Sequence, residues 1–365
     1  MKPSLFGRER GEIEAILAEL GEPPFRARQL YGWLYAKRVQ DFEAMSNLAR
    51  DLRRQLAARH RLSWPVLAER RHSFDGAVKY LFRLDDGLAV ESVFIPETRR
   101  RTVCISTQVG CPLGCKFCLT GIAGYRRNLD AGEILGQVAA VMDLVHREHL
   151  ESSARLPWNV VVMGMGEPLL NLEATLASLR ILMDPRGFGV PPRKLTLSTV
   201  GILPALERLM AEPVRPSLAI SLHAPNRALR RALMPIEAKY RLDEVIDLAG
   251  RYPNPRGGRV TYEYVLLGGV NDTAVHARQL TRLLSGQRAK VNLIPMNPAP
   301  EIPFHPPTPQ ALDAFCGVLA ASDVVVSVRR SRGQDILAAC GQLHLRADQS
   351  PPPTPPARSG APRGA

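Results

Sequence analysis

The sequence predicts an α/β protein built on a parallel TIM-like β/α barrel, partial or full, with a small helical module before it and a polar tail after it. Three observations predict this. Apolar runs of strand length recur at 102–106, 159–163, 195–198, 218–222, 260–266, 291–294 and 324–328. Helix-period patterns lie between most of them, as at 131–146, 172–183 and 242–251, and strand–helix alternation argues for a parallel sheet. The chain has 365 residues and is 45% hydrophobic, which suits a barrel-sized core plus an appendage. A doubly wound open sheet is the rival architecture.

Residues 1–65 read as helical, because Leu5, Phe6, Ile13, Ile16, Leu17 and Leu20 recur at helical spacing. From Phe25 to Arg61 there are nine Lys/Arg against three Asp/Glu. A basic helical module in front of an enzyme fits an RNA-docking piece, and a solvated helix face gives the same composition. Residues 66–100 form a β-hairpin linker leading into the barrel, with strands at 77–84 and 88–95 around the turn Asp85-Asp86-Gly87. Residues 101–345 make the barrel core. Residues 346–365 carry six prolines and little apolar content, and a disordered tail is expected there.

The formal net charge is +13, which favours an anionic partner, nucleic acid before membrane surface. No apolar run approaches the length of a membrane helix, and the first ten residues have no signal-peptide core. Six cysteines with a clustered triplet do not make a secreted disulfide framework. A reducing cytoplasm is the expected location.

The triplet is Cys111, Cys115 and Cys118, in Cys-Pro-Leu-Gly-Cys-Lys-Phe-Cys. One short loop supplies three thiolates and no fourth. A structural zinc site wants four ligands and is closed. An iron–sulfur cluster held by three cysteines leaves one iron open to a substrate, and thiolate softness alone does not choose between the metals. In a parallel barrel the chemistry sits beyond the carboxyl ends of the strands. The residues following each run fit that rule: the cysteine loop, then Gly164-Met165-Gly166-Glu167-Pro168, Ser198-Thr199, Ser221-Leu222-His223-Ala224-Pro225, Asn271-Asp272 and Met296-Asn297. Gly166, Glu167, Ser198, Ser221, Leu222, His223 and Asn297 thus fall where one cofactor could touch them all. Gly164 and Gly166 are not a dinucleotide fingerprint, since the third glycine is absent.

A Cys-x-x-x-Cys-x-Phe-Cys loop after one strand, with Gly-Glu-Pro after the next, resembles the radical S-adenosylmethionine enzymes. The runs 106–111 (Ser-Thr-Gln-Val-Gly-Cys), 162–171, 220–226 and 332–343 (Arg-Gly-Gln-Asp-Ile-Leu-Ala-Ala-Cys-Gly-Gln-Leu) resemble the RlmN family more closely. That family comprises the dual-specificity adenine-C2 RNA methyltransferases, and the likeness spans residues 5–345. The resemblance implies a [4Fe-4S] cluster on Cys111, Cys115 and Cys118 and two molecules of S-adenosylmethionine per turnover. Cys340 is then the methyl carrier and Cys104 the resolving thiol that forms a transient disulfide with it. Glu91 is the proton acceptor for adenine C2. The implied substrates are an adenosine in the peptidyl-transferase region of 23S rRNA and the adenosine 3′ of the anticodon in tRNA. A reductant such as flavodoxin and a monomeric enzyme are also implied. Gln334 stands where many relatives carry an acid.

Two alternatives remain. A C8-methylating sister family that confers ribosomal antibiotic resistance shares the same cysteines. A non-catalytic iron–sulfur RNA-binding protein would need neither Cys104 nor Cys340. Read without their context, Cys340 is a buried cysteine, Cys104 fits core packing as well as function, Glu91 is a solvated or paired carboxylate, and Cys316 is buried packing.

Overall fold

The computed structural model describes residues 2–148 and 156–344; the proline-rich tail expected at 346–365 lies outside the described residues. The strands are β1 (Val66–His72), β2 (Val78–Arg83), β3 (Ala89–Glu97), β4 (Arg100–Ile105), β5 (Gln108–Gly110), β6 (Tyr125–Asn128), β7 (Trp158–Val162), β8 (Leu195–Thr199), β9 (Ser217–Ser221), β10 (Val260–Leu266), β11 (Ala289–Pro295) and β12 (Val325–Val328). The helices are α1 (Arg10–Glu19), α2 (Phe25–Tyr31), α3 (Arg50–Arg59), α4 (Leu119–Ile122), α5 (Ala131–Glu148), α6 (Leu172–Met183), α7 (Leu203–Met210), α8 (Arg227–Leu233), α9 (Leu242–Gly250), α10 (Ala274–Leu283) and α11 (Pro309–Ala320).

Ten strands form one sheet in the order β1-β2-β3-β4-β7-β8-β9-β10-β11-β12. From β4 onward every pairing is parallel, whereas β1 to β4 are joined antiparallel. Among the described residues β12 pairs only with β11, so the ladder does not close. It does curl. Thr102 of β4, Asn159 of β7, Thr196 of β8, Thr261 of β10, Asn292 of β11 and Ser327 of β12 all line one cavity. A partial barrel results, with strands spaced along the chain as their apolar runs predict.

The segment before the barrel differs from a hairpin linker. It holds three strands, and β3 hydrogen-bonds directly to β4, pairing Val93 with Cys104. The antiparallel strands therefore extend the barrel sheet. β1 was not anticipated, because its alternation is half-exposed and interrupted by Glu69, Arg70 and Arg71.

Helix α5 shows how burial fixes the barrel start. Ile134, Leu135, Val138, Val141, Met142 and Val145 are all buried, and each such side chain contributes about 1.5–3 kcal/mol when fully covered. Its one buried amide is satisfied. Gln137 Oε1 accepts from Ser92 Oγ and from Ser106 N, both at 2.8 Å, and its Nε2 donates to Ser106 O at 2.9 Å. This ties the helix to β3 and to the end of β4.

The N-terminal helices pack onto the same helix. Gly7 has φ +100°, and a Cβ there would lie 2.4 Å from Gly132 N, so only glycine permits this approach. Tyr35 donates to Arg8 O at 2.7 Å and accepts from Gly7 N at 3.0 Å. Ion pairs Arg38–Asp143 and Arg180–Glu9, both 2.9 Å, join the module to α5 and α6. Among the described residues no helix is long and apolar enough to cross a membrane.

Candidate active site

Two cavities meet inside the curled sheet. The first, of about 160 Å³, lies at the carboxyl ends of the strands and is lined by all three triplet cysteines. The second, of about 900 Å³, is the lumen behind it. Cys340, Met163, Glu263, Arg329 and Leu343 line both, so Cys340 stands at their junction.

The cysteine loop is framed by the β5–β6 hairpin. Cys111 N donates to Gly124 O at 2.9 Å, Cys118 N to Cys115 O at 3.2 Å, and Leu119 N to Gly341 O at 2.8 Å. Burial raises the Cys111 thiol to about 12, and it raises Cys115 and Cys118 as well. These thiols gain most from a cationic partner that replaces their protons. The triplet lines one common cavity, and three thiols with no fourth around one space suit a cluster with an open corner better than a closed four-ligand zinc site.

The loops after β7, β8 and β9 supply the opposite wall. Gly166 has φ +99°, and a Cβ there would meet the Gln108 side chain at 2.6 Å. Glu167 is buried, and its carboxylate braces two loops: Oε1 accepts from Thr199 Oγ1 at 2.6 Å and Leu169 N at 3.0 Å, Oε2 from Val200 N at 2.9 Å. Burial still raises its pKa to about 7. Ser198 and Ser221 both face the cavity, with their hydroxyls 3.3 Å apart. His223 adopts φ +57°, a left-handed conformation rare outside glycine. Its Nδ1 accepts from Val265 N at 3.1 Å, so the neutral ring carries its proton on Nε2. Burial, with Arg230 assisting, lowers its pKa to about 3. Leu222 is fully buried and does not line the cavity; its main-chain N–H donates to Glu263 O at 3.0 Å.

The segment bearing Cys340 is held at several points. Asn297 Nδ2 donates to Cys340 O at 3.1 Å, and its Oδ1 accepts from Gln334 Nε2 at 2.7 Å. An amide at 334 thus supplies the donor that orients Asn297. Gln342 Nε2 donates to Pro298 O at 2.8 Å, and Lys79 Nζ to Leu337 O at 3.1 Å. Cys104 lies on β4 in a small apolar cluster with Val93, Met165, Ala338 and Leu343. Burial and the neighbouring Cys340 raise its thiol to about 12. Cys104 and Cys340 line the lumen together, and both thiols are free.

Glu91 is placed differently. It lines neither cavity. Its carboxylate pairs with Lys79 Nζ at 2.9 Å and accepts from His344 N at 2.9 Å. Burial raises its pKa, with Lys79 opposing. Cys316 lies on α11, half-buried rather than buried and away from both cavities.

Sequence reasoning missed Glu263 and Arg329. Glu263 faces both cavities, accepts from Asn292 Nδ2 at 2.7 Å, and has its pKa raised by burial. Arg329 lies within electrostatic reach of Cys340, Glu263 and Cys104. A signal existed for Glu263: it is the lone acid in the buried run Val-Thr-Tyr-Glu-Tyr-Val-Leu.

Comparison with known proteins agrees with this geometry. Residues 4–62 match the model of the ribosomal RNA large subunit methyltransferase N-terminal domain, and residues 105–279 match the radical SAM superfamily. A protein of Solidesulfovibrio magneticus named dual-specificity RNA methyltransferase RlmN is 45% identical, covering 92% of this chain and 95% of its own. A protein of that name from Nitratidesulfovibrio vulgaris is 47% identical, covering 91% and 92%. The crystal structure of a radical SAM methyltransferase from Sphaerobacter thermophilus superposes with a TM-score of 0.86 at 44% identity, covering 93% of this chain and 99% of its own.

Proposed function

We propose, from the premise that this chain belongs to the RlmN family of radical S-adenosylmethionine RNA methyltransferases, that it methylates C2 of adenine in RNA. The substrates are an adenosine in the peptidyl-transferase region of 23S rRNA and the adenosine 3′ of the anticodon in tRNA. One observation carries the reading: Cys340 lines the cavity of the cysteine triplet and, with Cys104, the lumen. A thiol shared between the two spaces can take a methyl group on one side and deliver it on the other.

Cys111, Cys115 and Cys118 would hold the [4Fe-4S] cluster, and Gly166, Glu167, Ser198, Ser221, His223 and Asn297 would line the S-adenosylmethionine site, with Leu222 packed behind them. When bound, the cluster would supply the electron for reductive cleavage of S-adenosylmethionine. Adenine C2 offers no electron pair to an ordinary methyl donor, so the protein must carry the methyl group itself. Cys340 Sγ takes the methyl group of one S-adenosylmethionine, with S-adenosylhomocysteine as the leaving group. Once that methyl group has given up a hydrogen atom, its carbon bonds to adenine C2, and the adduct returns one electron and loses the C2 proton. Cys104 Sγ then attacks Cys340 Sγ, forming the S–S bond as the carbon–sulfur bond breaks, and the pair left on carbon takes a proton to give the methyl product. For Glu91 to take the C2 proton, its carboxylate must leave both the His344 N–H and the Lys79 ammonium and turn into the lumen, which it does not line. His223 donates through Nε2–H into the cofactor cavity, and its low pKa keeps it from bringing in a proton. The enzyme works as a cytoplasmic monomer with a flavodoxin-type reductant.

The test is anaerobic reconstitution with iron and sulfide, then reaction with S-adenosylmethionine, reductant and an adenosine-containing RNA. The expected product in the digested RNA is 2-methyladenosine. 8-Methyladenosine would move the chain to the C8-methylating chemistry, and an unmethylated RNA with a normal cluster would overturn the RNA reaction.

A further inference from the structure

Phe74 is 90% exposed, the highest value among the large hydrophobic side chains of the described residues. A single exposed apolar residue is ordinary on a protein surface. Its setting is not. Phe74 sits at the tip of the β1–β2 turn and lines the same lumen as Cys104 and Cys340.

The turn that carries it is locked from two sides. Internally, Ser73 N donates to Ala77 O at 2.8 Å and Ala77 N to Asp75 Oδ1 at 3.0 Å. Externally, the methyl-carrier segment clamps it. Ser73 Oγ donates to Asp335 Oδ1 at 2.6 Å, and Phe74 N donates to Asp335 Oδ2 at 3.3 Å. Gly333 N donates to Asp75 Oδ2 at 2.9 Å, and Arg332 Nη1 to Asp75 O at 2.7 Å. Six hydrogen bonds therefore hold the turn under an exposed ring, although the ring itself packs on little. With the backbone already fixed, only the rotamers of the ring itself are left to be ordered when something stacks on it.

The charge around it selects the partner. The lumen lining holds five cations (Arg100, Lys290, Arg329, Arg330 and Arg332) against three acids (Asp75, Glu97 and Glu263). Glu97 is already paired with Arg100, and Asp75 is engaged by Gly333 N. An exposed aromatic beside surplus arginine is the arrangement that holds single-stranded nucleic acid, in which unpaired bases stack and phosphates meet cations.

We propose that Phe74 is a stacking platform for an unpaired base flanking the target adenosine, at the mouth of the lumen through which that adenosine reaches Cys340. The inference rests on the reading of the chain as an RNA methyltransferase and adds the residue that grips the neighbouring nucleotide. Because Asp335 holds both Ser73 and Phe74, the base is gripped by the turn to which the Cys340 segment is itself tied.

Phe74→Ala and Phe74→Trp are compared with wild type in the full chain carrying its cluster. RNA binding is read by titration of an unpaired adenosine-containing RNA, with a second RNA lacking the base next to the target. Phe74→Ala should weaken binding on the order of tenfold or more, Phe74→Trp should restore it, and KM should rise more than kcat falls. On the RNA with the missing base, wild type and Phe74→Ala should bind alike, since the two losses remove one contact. The thermal midpoint should not move. Equal affinity of Phe74→Ala and wild type for the intact RNA would overturn the platform, as would loss in the tryptophan variant equal to that in alanine. Absence of methylated base with the Phe74 effect intact would overturn the proposed reaction and leave the stacking role standing.

Discussion

The cavity at the carboxyl ends of the strands is small and walled by loops, whereas the lumen behind it is wide and lined by side chains of the strands themselves. Their electrostatics differ in the same way. In the first cavity burial drives titratable groups toward neutrality: His223 down to about 3, Glu167 up to about 7, Cys111 up to about 12. In the lumen cations outnumber acids. The difference teaches that one wall of Cys340 faces a site suited to a compact, charged cofactor and the other a site suited to a polyanion. A pocket whose groups are buried strengthens any charge interaction brought into it, and a cationic mouth concentrates RNA near the thiol.

The largest expected effect breaks the first cavity. Replacing Cys111, Cys115 or Cys118 by Ala should abolish the visible absorbance of the reconstituted cluster and reduce S-adenosylmethionine cleavage to background. Cleavage retained in any one of the three variants would remove that cysteine from the ligand set.

Next comes the seam that ties β2 and β3 to the Cys340 segment, outside both cavities. Lys79 and Glu91 form a buried pair, with side chains 7% and 3% exposed. Lys79→Met strands the Glu91 carboxylate and should cost about 3–5 kcal/mol of stability, as broken buried pairs do. Adding Glu91→Gln should recover part of the loss in urea unfolding. An unchanged midpoint in Lys79→Met would show that the pair does not hold this seam.

The neutrality of the cofactor cavity gives a pH signature. The folded pKa of Glu167, about 7, lies above its ordinary 4.5. Between those values the native state binds more protons than the unfolded state, so this contribution to stability falls as pH rises from about 4.5 to 7. The drop is at most about 3–4 kcal/mol, at 1.36 kcal/mol for each unit. It should appear in urea unfolding of the metal-free protein at pH 5 and 7.5 and vanish in Glu167→Gln.

The smallest effect sharpens the lumen side. Arg330 is exposed on its lining. Arg330→Gln should weaken RNA binding modestly and lower the slope of log K against log salt by about one. An unchanged slope would leave Arg330 outside the phosphate path.

Much of the first cavity was legible in the sequence, because its parts are local. The three cysteines lie within eight residues, and Gly166-Glu167, Ser198, Ser221 and His223 each follow an apolar run directly. The seven parallel strands were legible for the same reason, since each carries apolar residues in a run of strand length. The lumen was not legible. Thr261, Asn292 and Ser327 read as ordinary polar residues in strands, and only the curl of the sheet turns them onto one space. The setting of Glu91 was hidden too, because its carboxylate meets the backbone of a residue 253 positions away. Strand β1 escaped because an exposed antiparallel strand with charges on it lacks the hydrophobic signature.

The central claim is that Cys340 joins the two cavities and that Cys104 frees it. The most direct measurement is mass spectrometry of the Cys104→Ala protein after anaerobic reaction with S-adenosylmethionine, reductant and substrate RNA. The account predicts a covalent protein–RNA species, one RNA per chain and attached at Cys340, that does not accumulate in the wild type. Normal yield of 2-methyladenosine without any adduct would contradict it.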